Sequence, residues 1–525
     1  MRSILRLATI LSTTTILAGP VLGQAGQADI LITGGTIYDG STAKAFIGDV
    51  AITGDKIVYV GPHAPMGGKK VVDAKGMIIS PGLIDPHTHA DHFLDSPDKA
   101  QRSIPAWTMQ GVSTVFTGVD GWGVPGLKAK FAGYTKQGVG TNVVSYVGFG
   151  AVRQAVIGDA ARAPNAQELA KEAGLVKQGM CEGAIGFSAG LFYAPQSFSK
   201  TDEVVALAKE AGTRGGIYDT HQRDEGSYSI GLMASSREVL QIGREANIPV
   251  HFSHIKALGH DVWGKSDELI KLIDDARAHG QNVTANHYPW VASHTGLDAA
   301  LIPRWASDGG AEAMIKRFDD PKLMARIRTD MAANLKLRGG AATILITTNP
   351  WTGKYLSDLA AGWKLDPLDA TVKILRESKG KASIVSFVMS EADLENFMKQ
   401  PWAVTSSDGG PGHPREYATF PTKYAVYVQQ KHVIDTAFFI RHSSGLTADI
   451  FHLDRRGYLK PGYFADVLVF DPNGYKPLAD YVHPAVLSTG VKELYVNGVA
   501  AVDQGKPTGA TAGRTLPHTP SGKCS

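Results

Sequence analysis

The feature that most constrains this chain is an apolar, strand-like run that ends in His-x-His. The run is Ile78-Ile79-Ser80-Pro81-Gly82-Leu83-Ile84-Asp85-Pro86, and it leads directly into His87-Thr88-His89. Residues two apart on an extended strand project from the same face, so the two imidazoles are expected to lie side by side. Two adjacent imidazoles supply half of the ligands of a divalent metal ion. The rest of the chain would then have to supply the other half.

Strand-like runs alternate with helical stretches through the middle of the chain. The helices predicted from amphipathic spacing are at 203–211, 236–246 and 266–279. Such alternation is typical of βα units and a parallel sheet. With the strand before His87, eight strands are predicted, which is the number in a closed (β/α)8 TIM-like barrel. The other seven are 112–116, 142–147, 185–188, 216–218, 248–252, 282–285 and 403–405.

Both ends of the chain are rich in short strands, predicted near 30–60 and again near 465–498. Neither end has enough strands for a stable sheet alone. We therefore predict a small composite β-sandwich from residues 28–80 and 455–512. The barrel is then expected over 81–454, with an insertion near 297–400 over the barrel mouth.

The first 23 residues have the pattern of a secretory signal peptide. Arg2 and Arg6 give a positive start, residues 7–17 an apolar core, and Val21-Leu22-Gly23 a small-residue cleavage site before Gln24. We expect a periplasmic or secreted protein without a stable membrane anchor. A retained anchor is the alternative, and the shortness of the apolar stretch disfavours it. A net charge of +3 over 525 residues gives no reason to expect nucleic acid as a partner.

The chain has two cysteines, Cys181 and Cys524. They could pair in an oxidising compartment, but Cys524 is next to last in the chain, so we do not expect a structural disulfide. Their spacing supports neither a cysteine metal site nor a cysteine nucleophile. The Gly/Thr/Pro-rich tail after Asp503 is expected to be loose.

Four further metal-competent side chains follow predicted barrel strands. They are Asp120, His221, His254 and Asp408. Each stands where a strand meets its loop, and such barrels keep their chemistry at the C-terminal ends of the strands. A single histidine or aspartate at such a place is more often a core residue, a turn or a helix cap. Six residues in the same structural position, counting His87 and His89, favour a metal centre.

The ligand types indicate the chemistry. Nitrogen and oxygen ligands without thiolate suit Zn²⁺ and also accept Co²⁺, Mn²⁺ or Ni²⁺. A water bound to such an ion has a pKa near neutrality and can attack as hydroxide. A carboxylate that is not fully committed to metal can take the water's proton and return it to a leaving amine. We expect Asp408, which two glycines follow, in that role, in hydrolysis of an amide or related C–N bond.

At these residues the chain resembles the amidohydrolase superfamily and, within it, the N-acyl-D-amino-acid deacylases (D-aminoacylases). The resemblance covers about residues 28–510. Besides the run that ends at His89, the motifs that carry it are Gly111-Val112-Ser113-Thr114-Val115, Gly186-Phe187-Ser188-Ala189-Gly190-Leu191, Thr220-His221-Gln222-Arg223-Asp224-Glu225-Gly226, Pro249-Val250-His251-Phe252-Ser253-His254-Ile255-Lys256, His287-Tyr288-Pro289-Trp290, Ser407-Asp408-Gly409, His413-Pro414-Arg415, Thr419-Phe420-Pro421 and Gly462-Tyr463-Phe464-Ala465-Asp466-Val467-Leu468-Val469-Phe470.

The resemblance implies a metal-dependent hydrolase barrel that cleaves the amide bond of N-acyl-D-amino acids with zinc, giving a carboxylate and a free amino acid. It implies four zinc ligands: His87, His89, His221 and His254. Asp408 would be the proton shuttle. Lys256, Tyr288 and Arg415 would hold the substrate carboxylate through an ammonium, a phenol and a forked guanidinium.

The chain departs from the family pattern at three positions. Members commonly have a cysteine ligand in a Gly-Asn-Cys-Gly context, and this chain has Gly118-Val119-Asp120-Gly121. Asp120 can ligate one ion or bridge two, so one or two zinc ions are expected. His294 replaces a serine and Phe149 replaces a histidine, both expected near the substrate pocket. A bulky or aromatic acyl amide is therefore an alternative substrate to a simple acetylated D-amino acid.

Two alternatives stay open besides deacylation. A related amidohydrolase would act on a dipeptide, a cyclic amide or a lactone. A non-catalytic metal-binding barrel is the remote alternative, and the intact ligand set and base disfavour it. The sequence gives no prediction for the oligomeric state.

Overall fold

The structure of this chain is a computed structural model that describes residues 26–524. The predicted signal peptide, residues 1–23, lies outside the described residues. Within 26–524, no helix is both long enough and apolar enough to cross a membrane.

The middle of the chain forms the predicted (β/α)8 barrel. Its strands, labelled in chain order, are β1 Leu83–Asp85, β2 Val112–Thr117, β3 Asn142–Ser145 with its continuation Val147–Gly148, β4 Gly186–Gly190, β5 Ile217–His221, β6 Val250–Phe252, β7 Val283–His287 and β8 Ala403–Thr405. Successive strands pair in parallel in this order. The barrel closes from β8 to β1, where the Asp408 amide donates to the His87 carbonyl at 2.9 Å.

Helices cover the outside of the barrel, and the three predicted helices are confirmed with slightly different bounds. They are Thr201–Gly212, Leu232–Ala246 and Ser266–Ala278. Each buries an apolar stripe, as with Leu269 and Ile273 in the last of them. The others around the barrel are Asp91–Leu94, Lys99–Arg102, Pro105–Thr108, Leu127–Gln137, Phe149–Ile157, Ala166–Cys181, Glu391–Met398, Arg415–Thr422 continuing as the π-helix Lys423–Gln430, Thr436–His442 and Gly445–Ile450.

Strands from both chain ends form one nine-stranded sheet. Its strands are Ala28–Ile37, Phe46–Thr53, Lys56–Gly61, Gly68–Asp73, Ile78–Pro81, Val467–Phe470, Val491–Val496, Val499–Asp503 and Lys506–Pro507. Ile78–Pro81 pairs antiparallel with Val467–Phe470 and so joins the two ends. The sheet encloses its own apolar core, which includes Ile32, Val50 and Val469. The prediction that both ends build one β unit is confirmed.

The apolar run before His87 consists of two strands rather than the single strand that we predicted. Ile78–Pro81 belongs to the terminal sheet, whereas Leu83–Asp85 is β1 of the barrel. A Cβ atom on Gly82, which lies between them, would be 2.5 Å from the Ser113 hydroxyl oxygen. Glycine therefore permits the close approach of the chain to Ser113. The apolar run can then contribute one strand to the terminal sheet and one to the barrel.

The chain between β7 and β8 builds a small unit of its own. Its sheet consists of Ser293–Gly296, Ile344–Ile346, Lys354–Tyr355 and Ser383–Ser386. Its helices are Leu297–Leu301, Gly310–Arg317, Pro321–Leu337, Leu356–Trp363 and Pro367–Glu377. The unit has a separate apolar core that includes Leu301, Ile327 and Ile374. It can therefore present side chains to the barrel mouth from a packed support.

Cys181 and Cys524 form a disulfide, so the expectation of no structural disulfide was wrong. The C-terminal tail is not loose either, because it pairs with the barrel: the Leu516 amide donates to the Val143 carbonyl at 2.8 Å. This pairing returns Cys524 to the end of helix Ala166–Cys181. The two cysteines are 343 residues apart in sequence, and only the folded path of the tail brings them together.

Candidate metal centre

The structure brings all six predicted metal ligands together at the C-terminal ends of barrel strands. They are His87 and His89 after β1, Asp120 after β2, His221 at the end of β5, His254 after β6 and Asp408 after β8. Five of them are buried, and His89 is partly exposed. They form one cluster because the parallel strands all deliver their loops to the same rim.

Asp120 lies at the centre of the first group of ligands. Its Oδ1 atom is 3.4 Å from Nε2 of His87 and 3.4 Å from Nε2 of His254, and its Oδ2 atom is 3.5 Å from Nε2 of His89. Asp408 Oδ1 is 3.3 Å from the same His89 nitrogen. Ligand atoms that lie about 2.0–2.2 Å from a tetrahedral zinc ion are roughly 3.3–3.6 Å apart. The spacing of these side chains therefore matches that of a zinc coordination shell.

A second group is formed by His221, His254 and Glu225. Glu225 Oε2 lies 3.6 Å from His221 Nε2, and Glu225 Oε1 lies 3.1 Å from His254 Nδ1. Glu225 was not predicted from the sequence as a site residue, although it follows His221 by four residues in the Thr220–Gly226 motif. That spacing was the one available signal. His254 belongs to both groups and so connects them.

Three buried nitrogen and oxygen atoms of the cluster have no hydrogen-bond partner among the described residues. These are Nδ1 and Nε2 of His87 and Oδ1 of Asp120. Buried polar atoms in native proteins almost always have partners, because leaving them unpaired costs free energy. His87 Nε2 and Asp120 Oδ1 lie 3.4 Å apart, and nitrogen and oxygen atoms of this kind are the ligands that zinc prefers. The residues present therefore fit a zinc ion.

The backbone at three of the ligands lies in the left-handed region. The φ angles are +54° at Asp120, +34° at His254 and +48° at Asp408, a conformation that is uncommon for residues with a Cβ atom. The turn at His254 is held by its amide, which donates to Asn286 Oδ1 at 2.8 Å. Sharp turns directly after the strands aim these side chains across the barrel mouth, and such strain is typical of functional sites.

Two buried aspartates, Asp85 and Asp219, lie next to the predicted ligands, and neither was predicted from the sequence as a site residue. Asp85 Oδ1 accepts the Ser407 amide at 2.9 Å, which ties the loop after β8 to β1. Asp219 Oδ2 lies 4.0 Å from His87 Nδ1 and accepts the Ser253 hydroxyl at 2.8 Å. Burial raises the pKa of Asp85 to about 6 and that of Asp219 to about 8. Asp219 thus lies behind the His87 ring without a hydrogen bond to it.

Asp408 is held in its ionised form. Burial opposes its ionisation, but the Arg415 guanidinium, 2.9 Å away, and the neighbouring histidines outweigh it and hold the pKa well below its usual range. Lys256 has a similar partner, because its Nζ atom lies 2.7 Å from Glu225 Oε1. The two predicted substrate-binding cations are thus each paired with a carboxylate of the site.

Lys256, Tyr288 and Arg415 line one cavity of about 230 Å³ together with all the predicted metal ligands except His87. The Arg415 guanidinium lies 4.7 Å from the centre of the Tyr288 ring. His294 also lines this cavity. Phe149 does not: it is buried and packs against the barrel core. Our expectation that Phe149 lies near the substrate pocket was therefore wrong.

Comparison with known proteins places this architecture in a family. The model of the amidohydrolase family matches residues 70–502. The D-aminoacylase of Alcaligenes xylosoxydans xylosoxydans is 31% identical over 94% of this chain and 98% of its own length. The N-acyl-D-aspartate deacylase of the same organism is 31% identical over 92% of this chain and 94% of its own length.

Solved structures agree with the sequence relatives. A crystal structure of D-aminoacylase superimposes with a TM-score of 0.80 at 29% identity, over 93% of this chain and 100% of that chain. An N-acyl-D-glutamate deacylase from Bordetella bronchiseptica, in complex with zinc and a phosphonate that mimics the tetrahedral intermediate, superimposes with a TM-score of 0.79 at 28% identity, over 94% and 100% of the two chains. This chain belongs to the amidohydrolase family and, within it, to the D-aminoacylase group.

Proposed function

We propose that this protein hydrolyses the amide bond of N-acyl-D-amino acids with zinc as its cofactor, giving a carboxylate and a free amino acid. The observation that carries the proposal is one cavity that holds the convergent ligands, the ionised Asp408 and the carboxylate-binding set Lys256, Tyr288 and Arg415. The preference for D-amino acids is supported by the relatives, which are D-aminoacylase and N-acyl-D-aspartate deacylase.

The chain's own residues supply the proton transfers. Bound zinc would polarise the acyl carbonyl and lower the pKa of a coordinated water. Asp408, kept ionised by Arg415, accepts a proton from the attacking water. It then returns that proton to the amide nitrogen as the C–N bond breaks, so that the amine leaves neutral.

The substrate is oriented by its α-carboxylate. Lys256 and Arg415 offer cationic donors. The centre of the Tyr288 ring lies 5.5 Å from Lys256 Nζ and 4.7 Å from the Arg415 guanidinium. A planar guanidinium binds a carboxylate through two parallel hydrogen bonds. Fixing this end of the substrate places the scissile amide over the ligand cluster.

We propose one or two zinc ions per chain. His87, His254 and Asp408 form one group with Asp120, and His221 and Glu225 form a second group that shares His254. If two ions bind, the first group would hold one of them and the second group the other. In support, a binuclear metal centre is described for a D-aminoacylase structure that superimposes with a TM-score of 0.80.

The substrate class is tested by comparing N-acetyl-D-leucine, N-acetyl-L-leucine and a 5-substituted hydantoin, with the released amine or ring-opened product as readout. Turnover of the D-amide, and its loss in Asp408→Asn, is the expected result. Turnover confined to the L-amide or to the cyclic amide would overturn the deacylase proposal.

We further propose that the protein is exported to an oxidising compartment. The positively charged start and the apolar segment of residues 1–23 support this, and so does the disulfide between Cys181 and Cys524. Cell fractionation with N-terminal sequencing tests the proposal. A mature chain that starts at Gln24 in the periplasm or medium is expected, whereas a full-length chain in the cytoplasm would contradict it.

A further inference from the structure

We propose that Arg338 forms a second anion-binding subsite, so that the preferred substrates carry a second carboxylate besides the α-carboxylate. Arg338 directly follows helix Pro321–Leu337 in the unit between β7 and β8, and it lines the same cavity as the metal ligands. The inference rests on the proposed function and specifies its substrate class.

Arg338 is a buried cation without a carboxylate partner among the described residues. The residue is 1% exposed, and its Nε has no hydrogen-bond partner there. Its Nη1 donates to the Ser293 hydroxyl at 3.2 Å, and the guanidinium lies 5.2 Å from the centre of the Tyr228 ring. Neither neighbour carries a negative charge, because burial raises the pKa of Tyr228.

The two other arginines that are fully buried like Arg338 are each paired with a carboxylate. Arg153 is paired with Glu203, and Arg415 is paired with Asp408. Removing a charge from water without a counter-charge is costly, so buried cations are almost always paired. Arg338 departs from this pattern at a position where it lines a cavity. A ligand that enters the cavity can supply the missing negative charge.

The other charged residues around the cavity also favour an anion at Arg338. Lys256 and Arg415 are each paired with a site carboxylate, which leaves Arg338 as the lining cation without one. Arg304 adds positive charge nearby: burial, with the Arg338 charge, lowers its pKa to about 10, although Tyr228 and Asp298 oppose the shift. The Arg304 charge thus adds to the positive potential that an anion would meet at Arg338.

The chemistry of Arg338 selects a carboxylate. A guanidinium offers a planar fork of N–H donors that matches the two oxygens of a carboxylate, and the hydroxyl groups of Ser293 and Ser383 line the same cavity. The second carboxylate can belong to the amino-acid side chain, as in glutamate, or to the acyl group, as in succinyl. Substrates that differ only in these positions distinguish the two sources.

The test pairs each dianionic substrate with a neutral isostere. N-acetyl-D-glutamate is compared with N-acetyl-D-glutamine, and N-succinyl-D-leucine with N-succinamoyl-D-leucine, in the zinc-loaded wild type, Arg338→Met and Arg338→Lys. Arg326→Met is the matched control, because Arg326 lies on the helix that Arg338 follows, is exposed and does not line the cavity. The pair whose charged member is preferred identifies the source of the carboxylate.

We expect the wild type to prefer one charged member by at least about tenfold in kcat/KM. Arg338→Met should raise KM for that substrate by roughly 10- to 100-fold, the range of a lost charge-assisted contact. kcat should change much less, and the neutral isostere should be unaffected. Arg338→Lys should retain part of the preference, and Arg326→Met all of it.

Equal turnover of charged and neutral substrates by the wild type would overturn the subsite while leaving the proposed deacylase function in place. An equal loss on all substrates in Arg338→Met would also overturn it. If no D-amide is hydrolysed, the proposed function fails instead, and thermal shifts with two ligand pairs, D-glutamate with D-glutamine and succinate with succinamate, decide on the subsite. Stabilisation by a charged member that depends on Arg338 supports the subsite, and equal shifts within both pairs refute it.

Discussion

The Oδ1 oxygen of Asp120 lies 3.4 Å from the Nε2 nitrogen of His254, across the barrel mouth. The same oxygen lies 3.4 Å from Nε2 of His87. One carboxylate from β2 thus lies between the histidines that follow β1 and those of β5 and β6. Asp120 supplies an oxygen ligand at a position where cysteine is common in this family. The whole predicted ligand set therefore consists of nitrogen and oxygen atoms.

Removing this carboxylate tests its part in metal binding. In Asp120→Ala we expect zinc affinity to fall by more than about 100-fold, since even the residues behind metal ligands contribute 10- to 100-fold. Hydrolysis should fall with it. Zinc content after dialysis, measured by mass spectrometry, gives the result. Asp91→Ala is the control, because Asp91 pairs with Lys130 outside the cluster. Unchanged zinc content in Asp120→Ala would remove Asp120 from the ligand set.

Glu225 is expected to matter as much as the predicted ligands beside it. Its Oε1 atom is 2.7 Å from Lys256 Nζ and 3.1 Å from His254 Nδ1. Glu225→Gln keeps the shape but leaves the Lys256 charge unopposed next to a ligating histidine. We expect zinc affinity and kcat/KM to fall at least about tenfold, whereas Glu245→Gln on an outer helix should change neither. Wild-type values in Glu225→Gln would show that the second group of ligands is not used.

The His-x-His pair and the strand-end residues could be predicted because they follow from local patterns. A strand whose side chains alternate between two faces, followed by a metal-competent side chain, can be recognised from a few consecutive residues. In a barrel, the ends of such strands lie at one rim. Asp120, His221 and Asp408 were identified in this way. Asp408 carries an additional local signal, the two glycines that follow it.

The remaining features depend on contacts between distant segments. Glu225 and Asp85 lie inside quoted motifs, but their roles arise from partners on other strands, namely His254 and Ser407. The disulfide of Cys524 depends on how the tail pairs with the barrel. Such contacts leave no periodic signal in the sequence. They become visible only when the chain path is known.

The buried Lys423 makes stability depend on pH. Its Nζ atom lies 2.9 Å from the Thr405 hydroxyl and 3.0 Å from His287 Nε2, and burial lowers its pKa to about 7. The pKa in the unfolded chain is about 10.4. Between these values the unfolded state binds more protons, so the lysine's destabilising contribution is full below pH 7 and disappears as the pH rises toward 10.

We therefore expect Lys423→Met to be more stable than the wild type at pH 7, by a margin that shrinks by roughly 2 to 4 kcal/mol at pH 10. Urea unfolding at both pH values measures this. The exposed Lys399→Met should show no such change. A difference between Lys423→Met and wild type that is constant with pH would show that Lys423 stays charged in the folded protein.

The disulfide should stabilise the folded chain by holding the C-terminal tail against the barrel. Closing so long a loop restricts the unfolded chain, and losing such a bond typically costs about 2–5 kcal/mol. We expect the double variant Cys181→Ser/Cys524→Ser to unfold at a lower temperature than wild type. Dithiothreitol should lower the midpoint of wild type and leave that of the double variant unchanged. Equal midpoints without reductant would show that the bond adds no stability.

The most direct test of the proposed function is the dependence of D-selective hydrolysis on zinc. The protein is stripped with a chelator, dialysed, and assayed with N-acetyl-D-leucine and N-acetyl-L-leucine before and after zinc is added back. We predict that hydrolysis of the D-substrate is lost on stripping and restored by one or two zinc ions per chain, with the L-substrate turned over far more slowly. Hydrolysis that survives complete removal of metal, or that shows no preference for the D-substrate, would contradict it.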